Sequence, residues 1–207
     1  MASSPIDTIV FDLGGVLVDW NPEYLYRKIF PDPEQRAFFL THICSPEWNA
    51  QQDGGRTIAE ANALLSRQYP EYQEAIHSFY DRWEEMFQGS IQGTLDIFHQ
   101  LIEHPDYRVY ALTNWSAETW ERGRKCFPYF DLFDGILVSG QENRMKPQPE
   151  IYQLLLERFQ LDPQKLVFFD DNEKNIIAAQ QAGWHAFVFQ SPEQLKTTLQ
   201  GYGVAIR

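Results

Sequence analysis

Three observations predict an α/β protein whose core is a doubly wound, parallel five-stranded sheet carrying an inserted helical cap. A β-branched run, Thr8-Ile9-Val10-Phe11, leads into Asp12 and then Gly14-Gly15, as a buried strand does when it ends in a glycine-rich turn. A long stretch, residues 17–88, follows in helical text with no comparable strand. From about Gly89 onward short apolar runs alternate with helical segments, the rhythm of units in which helices cover both faces of a parallel sheet.

Within the stretch after the first strand, apolar spacing predicts helices over 23–30, 33–42, 57–69 and 72–87. Thr57-Ile58-Ala59-Glu60, placed after the turn Asp53-Gly54-Gly55, has the form of a capping box that satisfies the free amides of a first helical turn. The alternating half reads as a helix over 93–103, a strand over 107–112 ending at Thr113-Asn114, a helix over 117–126 capped by Ser116, and a strand over 135–139. A helix over 149–159 follows. A strand over 165–169 then closes on Asp170-Asp171, a helix over 174–182 is stopped by Gly183, and a last strand covers 186–190. These assignments divide the chain into a core of residues 1–16 and 89–207 and a helical cap of residues 17–88. A lobe inserted after the first strand overhangs the carboxyl ends of the strands, where open α/β sheets place their ligands.

Composition narrows the function. The chain has 207 residues, of which 43% are hydrophobic and 22% charged, and no segment approaches the roughly 18 apolar residues that a membrane helix needs. Its formal charge of −12 would repel a polyphosphate backbone, which excludes nucleic acid as a partner. The amino-terminal residues carry neither a basic stretch nor an apolar signal core, and Cys44 and Cys126 lack the spacing of a zinc site or a disulfide framework. The expectation is a cytoplasmic protein with reduced thiols, a monomer or homodimer, acting on a small molecule and not at a membrane.

Four polar clusters fall where strands end: Asp12, Thr113-Asn114, the loop of Lys146, and Asp170-Asp171. A parallel sheet brings such ends to one edge. A carboxylate attacks phosphorus when a divalent cation shields the two anions from each other, which casts Asp12 as a nucleophile. Mg²⁺ takes hard oxygen ligands and uses one or two carboxylates with waters and substrate phosphate, which suits Asp12 with Asp170 or Asp171. The hydroxyl of Thr113, the amide of Asn114 and the ammonium of Lys146 would then hold the other phosphoryl oxygens.

Taken in order, Phe11-Asp12-Leu13-Gly14-Gly15-Val16-Leu17, Leu112-Thr113-Asn114, Lys146-Pro147 and Phe169-Asp170-Asp171-Asn172-Glu173-Lys174-Asn175 resemble the four motifs of the haloacid dehalogenase superfamily. The resemblance runs from Ile9 to about Phe189, and the inserted lobe is similar to the cap of the family's subclass I. Arg144-Met145-Lys146-Pro147 and Phe168-Phe169-Asp170-Asp171-Asn172 are most similar to bacterial sugar-phosphate phosphatases of the α-D-glucose-1-phosphatase kind. The resemblance implies a Mg²⁺-dependent phosphatase acting on a small phosphorylated metabolite, a sugar phosphate in particular, through an aspartyl-phosphate. It also implies the roles: Asp12 as nucleophile, Thr113 and Asn114 on the phosphate, Lys146 balancing charge, and Asp12, the Gly14 carbonyl, Asp170 and Asp171 on the metal.

The departure is Gly14, where most phosphatases of the superfamily carry a second Asp that protonates the leaving group and later activates water. General acid–base help is worth about 10²–10⁴ in rate, so turnover should be slow or selective for good leaving groups unless an acid from the cap or a water substitutes.

Other polar residues read as structural. Asp19, Trp20 and Asn21 suit a helix entry, Arg122 and Arg124 a solvated helix face, and His42 and Trp48 packing or surface positions. Three rival activities share these residues. A metal-independent 2-haloacid dehalogenase would use the same Asp on carbon, but Asp170-Asp171 would repel its carboxylate substrate. The others are a binding module that has lost turnover and a phosphomutase, which would need the missing acid.

Overall fold

The computed structural model describes residues 6–206. Residues 1–5, on which most of the reading of an absent secretion signal rests, and Arg207 lie outside the described residues.

Five strands form one parallel sheet in the order β5-β4-β1-β6-β7, with β1 at Thr8–Phe11, β4 at Arg108–Thr113, β5 at Gly135–Val138, β6 at Leu166–Asp170 and β7 at His185–Val188. The chain builds outward on one side of β1 and then returns to build on the other, so the strand order reverses at β1. Residues of β1 and β6 are all buried, as continuous apolar strands covered on both faces must be. Alternation along β1 sends Ile9 and Phe11 into one apolar cluster and Val10 into the other. The first of these clusters continues into the inserted lobe through Leu25, Tyr26, Phe39, Ile76 and Phe79, so lobe and core share one apolar interior.

The lobe is helical but not purely so. Its two ends are joined by an antiparallel ribbon, β2 (Val18–Trp20) against β3 (Phe87–Ser90), which the sequence reading did not separate from its helices. Strands this short form only because each supplies the other's hydrogen-bonding edge, so local sequence carries little sign of them. Between them run α1 (Glu23–Ile29), α2 (Pro33–Phe38), α3 (Pro46–Asp53), α4 (Ile58–Gln68) and α5 (Gln73–Asp81). The helix expected over 33–42 widens after Phe38 into a π turn, Phe39–Ile43, which buries both of those residues. The one expected over 72–87 ends at Asp81 and passes through a 3₁₀ turn, Trp83–Met86, into β3. Thr57 caps α4 by accepting from the Glu60 amide at 3.2 Å, as the capping box required. Helix α3 was missed altogether: Ser45 caps it, accepting from the Trp48 amide, and Pro46 opens it.

In the core, α6 (Gln92–Glu103), α7 (Ala117–Cys126), the short α8 (Ser139–Glu142), α9 (Pro149–Phe159), α10 (Glu173–Gln181) and α11 (Pro192–Gly201) cover the sheet; α8 and α11 were not read from the sequence. Ser116 caps α7 as expected, accepting from the Glu118 amide. Cys44 is buried, Cys126 is exposed, and neither is bridged. No described helix is long and apolar enough to cross a membrane.

Phe169 is fully buried and stacks on Phe11 at 6.3 Å between ring centroids. Phe169→Ala is expected to cost about 3–5 kcal/mol, read as a lowered urea midpoint with little change in slope.

Candidate active site

The carboxyl ends of β1, β4 and β6 meet around one buried cation. Asp12 follows β1; its Oδ1 accepts from the Leu13 amide at 2.7 Å and its Oδ2 lies 2.9 Å from Lys146 Nζ. Lys146, only 1% exposed, also donates to the Asp170 carboxylate at the end of β6 (2.6 Å) and to the Leu112 carbonyl of β4 (2.7 Å). All three ammonium protons are thereby used. Asp170 also accepts from the Asn172 amide at 2.8 Å and from the Asn175 side chain at 3.0 Å, so its position is held from several directions.

The loop after Asp12 is shaped by Gly15, whose φ of +73° suits glycine. A Cβ there would also stand 2.4 Å from Oδ2 of Asp171. Gly15→Ala should therefore displace Asp171 and cost about 1–3 kcal/mol. A Cβ on Gly14, in contrast, would meet nothing within 4 Å, so the place where an acid would stand is open space.

Asp12, Asp170 and Asp171 offer oxygens within 4.8 Å of one another. Three carboxylates against one ammonium leave an excess of two negative charges. Burial, joined by the charges of Asp170 and Asp171, pushes the Asp12 carboxyl well above its ordinary range against the pull of Lys146. Asp171 is raised for the same reason, burial first and then Asp170. Burial works against the charge on Lys146, yet Asp12 and Asp170 overcome it and hold the ammonium above its usual pKa. An all-oxygen donor set with two charges in excess fits a hard divalent cation such as Mg²⁺.

Two expected phosphate ligands behave differently. Thr113 is 1% exposed and its hydroxyl has no partner among the described residues; a buried hydroxyl left so costs free energy that a phosphoryl oxygen would recover. The Asn114 carboxamide is already committed. Its Nδ2 donates to the Lys146 carbonyl and its Oδ1 accepts from the Lys146 amide, both at 2.9 Å. Asn114 thus braces the lysine loop, and its second Nδ2 proton is what its side chain has left to offer a phosphate.

Asn21 accepts from the Glu23 amide at the entry to α1, the structural role expected of it, and Asp19 pairs with the Tyr24 hydroxyl. Arg122 is paired with Glu84 and donates to the Tyr80 carbonyl at 2.7 Å, tying the lobe to α7, while Arg124 pairs with Asp131. Trp48 packs against Phe79 and Tyr80, and His42 against Phe38.

A cavity of about 70 Å³ lies beside this cluster, bounded by Gly14 and Asn114 from the core and by Asn49, Asp53 and Tyr80 from the lobe. Sequence reading passed over Asp53 as part of a turn; the structure makes it the last residue of α3. Its carboxylate accepts from Asn49 Nδ2 at 3.1 Å and is bonded by the Ser116 amide, and its carbonyl accepts from Ser139 Oγ at 2.5 Å. Burial, opposed by Ser116 and Lys146, raises the carboxyl to about 7. The Ser-Pro start of α3 and its Gly54 stop were the available signals.

A parallel sheet reversing at its central strand, with acids at the ends of β1 and β6 and a lysine bridging them, defines a class of hydrolase. The chain belongs to the haloacid dehalogenase-like hydrolase family, whose model matches residues 6–183. It is 28% identical to the sesquiterpene phosphatase astK of Aspergillus oryzae, covering 84% of this chain and 85% of that protein. It is 27% identical to a phosphorylated carbohydrates phosphatase of Thermotoga maritima, over 86% of this chain and 82% of that one. Among solved structures, a haloacid dehalogenase-family enzyme of Bacteroides thetaiotaomicron in complex with magnesium and inorganic phosphate superposes with a TM-score of 0.66 at 26% identity, covering 90% of this chain and 95% of that chain.

Removing one member of a buried charge network leaves the others uncompensated, at about 3–5 kcal/mol. Lys146→Met should therefore unfold at markedly lower urea than the wild type in chelator, with part of the loss recovered in Mg²⁺. A second expectation concerns the cation alone. Mg²⁺ at a hundred times its Kd should add about 2.7 kcal/mol to wild-type stability, seen as a rise in Tm that Asp171→Asn abolishes.

Proposed function

We propose that this protein is a Mg²⁺-dependent phosphatase that hydrolyses a small phosphorylated metabolite, a sugar phosphate by preference, through an aspartyl-phosphate on Asp12. The observation that carries the reading is the cluster of Asp12, Asp170 and Asp171 around Lys146, three carboxylates against one ammonium, with the Thr113 hydroxyl left without a partner among the described residues. Asp12 is oriented by the Leu13 amide on one oxygen and by Lys146 on the other, which fixes the direction from which the carboxylate meets phosphorus.

Asp12, the Gly14 carbonyl and Asp171 would hold Mg²⁺, with Asp170 positioning Lys146 beside them. When bound, the cation neutralises the carboxylates and the phosphoryl oxygens so that anion can approach anion. The Thr113 hydroxyl binds a phosphoryl oxygen, Lys146 offsets the charge gathered there while holding Asp12 and Asp170 in place, and Asn114 keeps the Lys146 backbone in register. The Asp12 carboxylate displaces the ester oxygen from phosphorus; water then attacks the aspartyl-phosphate, releases phosphate and restores the free carboxylate.

The cavity beside Gly14 receives the leaving group. Trp20, Trp83, Phe87 and Trp115 line it along with polar groups of the lobe, a surface on which the C–H face of a sugar stacks while its hydroxyls find Asn49 and Asp53. At about 70 Å³ it admits a few waters but not a sugar, so substrate entry requires the lobe to swing away on the β2–β3 ribbon.

Phosphate release should be measured over a panel of sugar phosphates, isoprenyl phosphates, acyl phosphates and p-nitrophenyl phosphate, in Mg²⁺ and in EDTA. Release that depends on Mg²⁺ and falls at least about 10³-fold in Asp12→Asn is expected. Chloride release from 2-chloropropionate that is insensitive to EDTA would instead make the chain a dehalogenase.

A further inference from the structure

We propose that Asp53, delivered by the inserted lobe, is the general acid and base of this enzyme, taking the place left vacant at Gly14. The inference rests on the phosphatase reading above and adds a catalytic residue to it. Gly14 from the core and Asp53 from the lobe line the same cavity, and a Cβ on Gly14 would meet no described residue within 4 Å. An acid lining that cavity therefore borders the volume assigned above to the leaving group.

The position of Asp53 is costly for a merely structural residue. It ends α3, where the partial negative charge of the helix terminus opposes a carboxylate, and burial adds to that. The carboxyl is raised to about 7, so both protonation states are present at neutral pH, as a group that must give and then take a proton requires. Its surroundings hold it in place without neutralising it. Lys146 faces it from the core, and Tyr80 of α5, a phenol that burial keeps protonated, donates to Asn49, the side chain that holds Asp53. Arg56 is engaged by Gln51 and Gln52, and Glu118 of α7 by the Ile58 amide. The Ser139 hydroxyl on the Asp53 carbonyl and the Ser116 amide on its carboxylate tie it to the core, so the acid is in place only when the lobe is closed.

The proton balance closes over two steps. As the Asp12 oxygen bonds to phosphorus and the ester P–O bond breaks, the Asp53 carboxyl gives its proton to the departing oxygen. The resulting Asp53 carboxylate then takes a proton from the water that attacks the aspartyl-phosphate; the P–O bond to Asp12 breaks, and phosphate leaves with Asp53 again protonated.

The test is Asp53→Asn on a series of ring-substituted phenyl phosphates from p-nitrophenyl to phenyl, in Mg²⁺. Wild type should show kcat/KM nearly independent of leaving-group basicity, contrary to what Gly14 alone implies. In the variant, kcat/KM should fall about 10²-fold or more for phenyl phosphate and less than about tenfold for p-nitrophenyl phosphate, which needs no acid. With p-nitrophenyl phosphate the variant should give a burst of one p-nitrophenolate per enzyme followed by slow turnover, because the base of the second step is gone. The decline of wild-type kcat/KM as pH rises through about 7 should disappear. Proton binding favours the native state wherever a native pKa is raised, so Asp53→Asn should melt no lower than wild type at pH 8, which separates lost chemistry from lost fold. The double variant G14D/D53N, with an acid on the nucleophile's own loop, should regain the wild-type profile. A D53N enzyme with wild-type rates, or one whose loss is equal for all leaving groups, overturns the assignment of Asp53. A wild type without Mg²⁺-dependent phosphate release overturns the phosphatase reading beneath it.

Discussion

The ammonium of Lys146 is the interaction on which the rest of the site depends. Its three protons reach the Leu112 carbonyl at the end of β4, Asp12 after β1 and Asp170 at the end of β6, tying together three adjacent strands of the sheet. Burying a lysine so completely is affordable only because two carboxylates compensate it. The carboxylates in turn tolerate their mutual proximity because of the lysine. With Asp171 beside them the carboxylates still outnumber the ammonium, a charge balance that suits a divalent cation. The same charges that draw the strand ends together are those the proposed chemistry would use.

Around this cluster the chain has placed supports whose work is geometric. Asn114 grips the Lys146 backbone from both sides, and Asn175 holds the Asp170 carboxylate. Gly15 supplies both the turn after Asp12 and the space that Asp171 fills. Each of these follows a strand or begins a helix, so the rigid sheet sets the distances and the loops add the chemistry.

The inserted lobe belongs to the same design. It shares an apolar interior with the core, is rooted on the β2–β3 ribbon, and is fastened over the strand ends by Arg122 with Glu84 and by Ser139 with Asp53. Aromatic packing of Trp83 and Phe87 on Trp115 seals the seam. A closed lobe excludes water from the charges beneath it, which strengthens each of them.

By itself, the sequence determined the sheet and the edge at which the candidate residues gather, because β1 and β6 are buried, mainly apolar runs leading into acids and the helices between them are marked by their own caps, such as Ser116. That Asp12, Lys146, Asp170 and Asp171 come together was legible for that reason: strand ends in a parallel sheet converge. What only the tertiary structure decided are features that no local pattern encodes. The β2–β3 ribbon exists because two short segments far apart in sequence satisfy each other's edges. The Asn114 side chain is paired with the Lys146 backbone because the amide and carbonyl of the lysine loop need partners there. Asp53 read as an ordinary turn residue until folding of the lobe brought it into the lining of the cavity that Gly14 also lines, since burial and the company of other charges, which give a carboxyl its chemistry, are properties of the folded molecule alone.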